Sequence, residues 1–524
     1  MKQRRMALAG LATAALAAAA VTPALGDQSK GSGATTHGPN TSTNPYVLPV
    51  ASGVSTKSLL TVDDDGSASN GYELVGIPDG LGAIKGRGHE FSLLMNHELR
   101  AEQGVVRRHG QKGAFVSTFS IDSKTFEVQD GKDTIDPGVR YWNYVTQSYQ
   151  DTASPAGANP RQPGDTFAAQ ANAFSRFCSA TLSAPGQFRN NRSGRGYSGQ
   201  IFFGNEENGD EGRVFGILPD GTTQQLPRLG LASWENTKPA YNRSDTTLVL
   251  GGEDGAAGPF SQLAVYHGTK RSSGNAFDRA GLTNGTHNVI DLLDEGVSTD
   301  ADFRDKVGKG NPVPFDLSEV DWDQSGARQN AEGANEGLSL NRIEDGTWDP
   351  RHPNTFYFVT TEGGDTTPAE PGVSRDGGGL WKVVFDDIEH PELGGTIELL
   401  LDGSEAPYLN KPDNMDIDKH GNLLLQEDPG NNAHVSRIVA YNTKTGERGV
   451  LAEFDPNLFG AGSPNLITVD EESSGIIDAS KLIGPGWWVF DAQVHKASPN
   501  AENVELGQLL AMKVSDFKKV YDLP

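Results

Sequence analysis

Short apolar runs that end in acidic residues recur along this chain, and a second apolar run follows each of them. The clearest example, IFFGNEENGDEGRVFGI, occupies residues 201–217. Further runs of the same kind lie at 93–99, 248–255, 356–364, 423–430 and 487–493. Turn residues such as Asp220-Gly221 close several of the second runs, as expected for antiparallel strands joined by tight turns. Six strand pairs in series predict a repeat architecture.

The repeats predict an all-β fold, a six-bladed β-propeller with long loop insertions and few short helices. A propeller packs small antiparallel sheets around an axis and so protects most strand edges. The 64 glycines, the 29 prolines and a mean hydropathy of −0.48 also favour a soluble, loop-rich β protein. The longest insertions are expected at about 123–195 and 269–350, where they could shape a substrate pocket.

The acidic residues after the apolar runs are expected to converge on the mouth of the propeller. This expectation takes each apolar run as the innermost strand of a blade, so that its terminal acids meet around the axis. Carboxylates gathered in this way need a counter-charge, and calcium suits a cluster of oxygen ligands. Acids after strands are also ordinary turn residues, which is the alternative. The acids concerned are Glu98, Glu206, Glu207, Glu253, Asp254, Glu362, Glu427, Asp428 and Asp491.

The N-terminus has the layout of an export signal. Lys2, Arg4 and Arg5 precede an Ala/Leu-rich stretch, which predicts a signal peptide at 1–26. The Arg4-Arg5 pair is compatible with twin-arginine export, and a general secretory signal is the alternative. We expect a flexible leader at 27–60 and a single propeller domain at 61–524. The mature protein is expected to be secreted or otherwise extracytoplasmic.

The net charge of the chain limits the classes of partner that it is expected to bind. The chain has 69 acidic and 44 basic residues, a formal net charge of −25. So acidic a surface argues against nucleic-acid and anionic-membrane partners. The oligomeric state stays open, with a monomer favoured. A single cysteine, Cys178, excludes an intrachain disulfide.

Two further residues are candidates for chemistry. Arg342 is conspicuous among acids, because its planar guanidinium can bind a phosphate or carboxylate with two hydrogen bonds. The alternative is that Arg342 only pairs with Glu344. Cys178 is either a small buried hydrophobic residue or a thiolate ligand for a transition metal.

Several motifs together resemble the PhoX-type alkaline phosphatases, a family of exported bacterial proteins. They are NHE (96–98), NEENGDEGRVFG (205–216), SWEN (233–236), LGGEDG (250–255), NRIEDGTWDP (341–350) and PDNMDIDKHGNLLLQED (412–428). The resemblance implies a six-bladed propeller that binds calcium ions (Ca²⁺) and a pair of iron ions (Fe³⁺). It also implies that the protein hydrolyses phosphate monoesters. A further implication is twin-arginine export of the folded protein.

The same resemblance assigns roles to individual residues. Arg342 and Glu344 match the family's Arg-Pro-Glu element, in which the arginine faces the substrate phosphate, although Ile343 replaces the proline. Cys178 takes the place of the iron-bridging thiolate, but the Thr-Pro-Trp-Gly-Thr element of the family is missing around it. The implied metal ligands are Glu206, Glu207, Glu235, Asp254, Asp413 and Asp428, to which the convergence of strand ends adds Glu98.

The predicted function is therefore metal-dependent hydrolysis of a small phosphate ester at the propeller mouth. Two alternative functions would use the same cluster of acids at the propeller mouth. One is a calcium-dependent propeller hydrolase for another ester class, a lactonase or phosphotriesterase. The other is a non-enzymatic extracellular binding module that calcium stabilises.

Overall fold

Antiparallel strands dominate the computed structural model, which describes residues 33–255, 261–293, 296–366, 376–430 and 434–521. The predicted signal peptide lies outside these residues. The first strands are β1 (Thr35–His37), β2 (Val47–Pro49), β3 (Val54–Thr61), β4 (Pro78–Lys85), β5 (Glu90–His97), β6 (Phe115–Asp122), β7 (Val128–Asp133), β8 (Tyr141–Asn143), β9 (Ser148–Gln150), β10 (Gly157–Ala158), β11 (Thr166–Phe167), β12 (Phe177–Leu182), β13 (Phe202–Glu206), β14 (Val214–Ile217), β15 (Thr223–Gln225) and β16 (Trp234–Pro239). The remaining strands are β17 (Thr246–Glu253), β18 (Leu263–Thr269), β19 (Thr286–Leu292), β20 (Val313–Val320), β21 (Ile343–Trp348), β22 (Thr355–Thr360), β23 (Gly379–Phe385), β24 (Gly395–Leu401), β25 (Pro412–Ile417), β26 (Asn422–Glu427), β27 (Arg437–Asn442), β28 (Arg448–Phe454), β29 (Glu471–Asp478), β30 (Trp487–Ala497) and β31 (Glu505–Val514).

Helices are short and few in the described part of the chain, as predicted. The α-helices are α1 (Ala276–Arg279), α2 (Asp300–Asp302), α3 (Gly326–Glu336), α4 (Pro456–Phe459) and α5 (Lys518–Tyr521). Two 3₁₀ turns, Pro227–Leu229 and Pro391–Leu393, and one π-helical turn, Phe303–Val307, complete them. None of the described helices is long and apolar enough to cross a membrane.

A ring of contacting strands organises the sheets. Strands β4, β12, β16, β21, β25 and β29 contact one another in this order, and β29 contacts β4 again. From each of them an antiparallel sheet extends outward, namely β4–β7, β12–β15, β16–β19, β21–β24, β25–β28 and β29–β30–β31–β3. Strand β20 hydrogen-bonds to both β19 and β24, which joins two of these sheets into one of nine strands. The arrangement is all-β and propeller-like.

The apolar runs that end in acids are not the ring strands, which corrects the prediction from sequence. They form β5, β13, β17, β22, β26 and β30, the second strand of each sheet. These strands are paired on both edges and buried on both faces, so their sequences read as continuous apolar runs. The ring strands carry more polar residues, as in WENTKP at 234–239 and PDNMDI at 412–417.

The N-terminal segment also differs from its prediction as a flexible leader. Strand β3 pairs with β31, β1 runs parallel to β3, and β2 pairs with β28. Leu59 and Leu60 are fully buried. The folded domain therefore begins before residue 61. The reason is long-range, because β3 covers an edge of β31 that would otherwise be open.

Apolar layers fill the space between neighbouring sheets. Each layer holds side chains from two sheets that are adjacent in the ring, and the layers follow one another around it. Their central residues include Trp381, Trp488, Phe119, Trp234, Phe174 and Met415. Burial of one such side chain stabilises the fold by roughly 1.5–3 kcal/mol.

The two long insertions contact each other above one side of the ring. Asn159 donates a hydrogen bond to the Asp323 carbonyl, and the Ser325 hydroxyl donates one to Asp165. Helix α3 follows directly, and its Asn330 amide contacts the carboxylates of Asp210 and Glu253. The insertions thus cover strand ends at the acidic side of the molecule.

Candidate metal centre

Each ring strand presents one potential ligand at its second residue. Most of these residues lie within β-bulges, where the register between the ring strand and its neighbour shifts. A bulge bends the strand and re-aims its side chain, so it can turn a carboxylate or thiol inward. The six residues in equivalent positions are Asp79, Cys178, Glu235, Glu344, Asp413 and Glu472.

A second set of polar residues lies where the neighbouring strands end. Here a repeated hydrogen bond fixes the backbone, because an N–H group donates to the carbonyl of the residue just before the ring strand. It joins Glu98 to Ile77, Glu207 to Arg176, Asp254 to Ser233, Asp428 to Lys411 and His495 to Asp470. The side chains of this second set therefore surround those of the ring strands.

Seven of these residues form three overlapping groups. The groups are Asp79–Glu98–Cys178, Cys178–Glu207–Glu235 and Glu235–Glu344–Asp413. Within each group the ligand atoms lie within 4.8 Å of one another. Because Cys178 and Glu235 each belong to two groups, the three potential cation sites form one continuous row.

Burial makes ionisation of this row costly. Burial, and then the charges of Asp254, Asp345 and Glu98, raise the pKa of Glu235 to about 8, although its contact with Cys178 lowers it. Burial followed by Glu472 raises the pKa of Asp428 to about 7. The pKa values of Asp79, Glu207, Glu344, Asp413 and Cys178 are also raised, with burial the largest cause in each case. Such groups take up either protons or metal ions at neutral pH.

Arg342 lies beside this row and contacts three carboxylates, of which Glu344 belongs to the row. Its Nε and Nη2 atoms lie 2.7 and 2.8 Å from the two oxygens of Asp254. Glu344 and Glu362 each approach it to 3.5 Å. Burial opposes its charge, but the hydrogen bonds and charges of these carboxylates raise its pKa overall. Pairing with Glu344 is thus observed, and the guanidinium remains partly exposed.

Arg176 is the equivalent residue of another sheet. Its Nε atom lies 2.7 Å from Glu98, and its Nη2 atom contacts Glu207. Arg176 and Arg342 both precede a ring strand and both have positive φ, 47° and 57°. This backbone conformation is uncommon for residues other than glycine, and it aims the two side chains across the strand ends.

Three of the predicted acids face away from the row. Glu206 accepts two hydrogen bonds from the Arg213 guanidinium, at 2.6 and 2.8 Å. Glu427 is held in the same way by Arg437, and Glu253 accepts a hydrogen bond from the Gln262 backbone. Successive side chains of a strand point to opposite sides, so the second acid of each pair faces the other way, and of these second acids Glu207 belongs to the row.

Asp79, Glu472 and Arg176 have no role in the sequence-based site. The prediction followed acids after apolar runs, whereas these residues come before or early in the ring strands. One signal was present, because PDG at 78–80 matches PDN at 412–414. Alignment of the two segments places Asp79 opposite Asp413, which was predicted.

Comparison with known proteins gives a matching family and solved structures that resemble this one. The family model described as "Alkaline phosphatase PhoX" matches residues 189–473. The structure of Pseudomonas fluorescens PhoX, in complex with vanadate, a transition state analogue, is similar with a TM-score of 0.59 and 14% identity. The match covers 88% of this chain and 95% of that one.

Two further structures have lower TM-scores. A luciferin-regenerating enzyme has a TM-score of 0.32 and 9% identity, over 84% of this chain and 92% of that one. The β-propeller domain of the trilobed protease from Pyrococcus furiosus has a TM-score of 0.27 and 8% identity, over 80% of this chain and 79% of that one. No curated protein sequence matches the chain significantly.

Proposed function

The chain belongs to the PhoX alkaline phosphatase family, a family of phosphoric monoester hydrolases, and from this membership we propose that it is an exported, metal-dependent phosphomonoesterase. The observation that carries the proposal is the convergence of the three ligand groups beside a partly exposed Arg342. The substrate is a small phosphate ester.

The donor atoms fit metal ions. The Oδ1 atom of Asp79 and the Oε1 atom of Glu344 are buried and accept no hydrogen bond from any described residue. The carboxylates suit Ca²⁺, which takes several oxygen ligands in a flexible shell. The Cys178 thiol is a poor ligand for calcium, so the two groups that contain it suit Fe³⁺. We assign Glu98, Cys178, Glu207, Glu235, Glu344 and Asp413 as ligands, with Asp254 and Asp428 at the edges of the row.

Bound cations would supply Lewis-acid stabilisation of the charge on the phosphoryl group. The residues of the chain supply position. Asp254 occupies the Nε and Nη2 atoms of Arg342, so the Nη1 side of its partly exposed guanidinium is the part that binds a phosphoryl oxygen from the mouth. Glu344 holds Arg342 from one side and belongs to a ligand group on the other, so it fixes the distance between the phosphate and the cations.

The finer features of the prediction complete the proposal. We interpret the closed ring as a six-bladed propeller, in which β16–β19 and β21–β24 are two blades joined by β20. The propeller forms a single domain, and a monomer suffices for the site because all of its residues come from one chain. We retain the signal peptide at 1–26 and export in the folded state, with the twin-arginine route as the hypothesis.

Turnover of p-nitrophenyl phosphate by the protein loaded with calcium and iron tests the proposal. We expect Arg342→Ala to lower kcat/KM by about 10²–10³-fold, as for the loss of a donor to a developing anion, and Arg342→Lys to restore little of it. Arg351→Lys is the matched control, because Arg351 makes a similar two-point pair with Asp349 outside the row.

Two results would contradict the proposal. The first is an absence of hydrolysis with both metals present, and the second is an equal loss of activity in the Arg342 and Arg351 variants. Hydrolysis of lactones or phosphotriesters alone would favour the alternative hydrolase. Elemental analysis for iron beside calcium tests the assignment of Cys178.

A further inference from the structure

Asp491 is a buried carboxylate without a hydrogen-bonding partner in the part of the chain that the structure describes. It lies in β30, in the layer between the sheet of β29 and the sheet of β4, and its exposure is 0%. Neither of its two oxygens accepts a hydrogen bond from any residue that the structure describes. Two unsatisfied acceptors at one buried site cost stability unless a proton or a cation reaches them.

Other oxygen atoms converge on the same place. A Cβ atom added to Gly475 would lie 2.6 Å from the Asp79 carbonyl oxygen and 2.7 and 3.0 Å from the two Asp491 oxygens. Gly475 has a φ of 60°, a conformation that favours glycine, and its lack of a side chain lets these oxygen atoms approach its backbone. The Asp79 Oδ1 atom and the Gln493 Oε1 atom are likewise buried without a partner among the described residues.

This cluster adjoins the row of ligand groups at Asp79, which belongs to one of those groups. Asp491 belongs to none of the three groups. Its partner in the β29–β30 register is Ser474, whereas Glu472 is level with Gln493. Two residues along a strand correspond to about 7 Å, so Asp491 lies about that far below the mouth.

We propose that Asp491 and Asp79 hold a structural calcium ion between these two sheets. The ligands are the two Asp491 oxygens, the Asp79 carbonyl oxygen and the free Asp79 carboxylate oxygen, with the Gln493 amide within reach of Asp79. An all-oxygen set with a two-oxygen carboxylate suits calcium better than a transition metal. Magnesium usually keeps several waters, for which a fully buried carboxylate leaves little room.

The ion would link the sheet that begins with β4 to the sheet of β29, β30, β31 and β3. Asp79 lies in β4, and Asp491 lies in the sheet that β3 completes from the N-terminal part of the chain. Calcium at this position therefore stabilises the closure of the ring. This role is independent of phosphatase activity and would persist if the proposed function failed.

Replacement of Asp491 by Asn distinguishes calcium from a proton, because asparagine has the shape of a neutral carboxylic acid. We expect Asp491→Asn to bind about one calcium ion per chain less than the wild type, measured by mass spectrometry of calcium-saturated, desalted protein. The rise in Tm on calcium addition should be smaller than in the wild type. Asp418→Asn is the control, because backbone and side-chain donors already satisfy Asp418.

Unchanged calcium content and an unchanged calcium-dependent Tm in Asp491→Asn would overturn the proposal in favour of a proton. If this variant does not fold, long-wavelength anomalous diffraction from calcium-loaded wild-type crystals decides the matter. A calcium peak within about 2.6 Å of the Asp491 oxygens supports the proposal, and its absence there contradicts it.

Discussion

Adjacent acids at the strand ends have different roles because their side chains point to opposite sides. Glu206 is buried against Arg213, and Glu207 belongs to a potential metal group with Cys178 and Glu235. The sequence analysis singled out the acidic strand ends and expected both members of each pair at the propeller mouth. The distinction needs the position of the partner arginine, which lies in the next strand.

Substitution of these two neighbours should therefore affect different properties. We expect Glu206→Gln to lower the free energy of unfolding by about 3–5 kcal/mol, because it leaves the buried Arg213 charge unpaired. Glu207→Gln should reduce the metal content and activity instead. Urea denaturation in chelator and elemental analysis measure the two effects, and a similar pattern in both variants would refute the distinction.

The strands of the ring and the strands beside them follow different sequence patterns for a physical reason. A strand buried on both faces can be apolar throughout, whereas a ring strand has one side towards the polar interior. The apolar runs were therefore the easiest strands to recognise and were taken for the innermost ones. Bulges in the ring strands then decide which of their side chains turn inward.

Strand β3 provides a test at the level of a single element. We expect Leu60→Ala to destabilise the protein by about 2–5 kcal/mol, because Leu60 is fully buried where β3 completes the last sheet. Thr36→Ala, at an exposed position of β1, should change stability by less than about 0.5 kcal/mol. Thermal and urea denaturation compare the two variants, and equal stability would contradict the stabilising role of β3.

The closed ring concentrates negative charge in the whole molecule. The ring strands bring their acids to one end, where burial raises the pKa values of several of them. The folded protein therefore depends on protons or cations that the unfolded chain does not need. Its stability should respond to both.

Removal of metal should make stability pH-dependent. In the folded state Glu235 and Asp428 titrate at about 8 and about 7, well above their ordinary values of 4.5 and 3.8. Groups with raised pKa values favour the folded state at low pH, and this contribution is lost as the pH rises through the window from about 4 to about 8. We expect the Tm of chelated protein to fall between pH 5 and pH 8.

Calorimetry with and without calcium measures this dependence. Calcium should raise the Tm most at the alkaline end, because its carboxylate ligands are then ionised in both states. If the Tm of the chelated protein is constant or rises over this range, the buried acids of the ring do not depend on protons or cations in the folded state.

The sequence by itself determined the all-β class, the repeated strand pairs, the scarcity of helices and the prominence of Arg342, Cys178 and the acidic strand ends. These features follow from local patterns, since alternation, turns and charge can be recognised within a few residues. Only the tertiary structure decided which strands form the ring, that β3 completes the last sheet, and that Asp79 and Glu472 occupy the same position as Asp413. Those facts depend on contacts between residues hundreds of positions apart, and no local pattern encodes the order in which a closed ring brings them together.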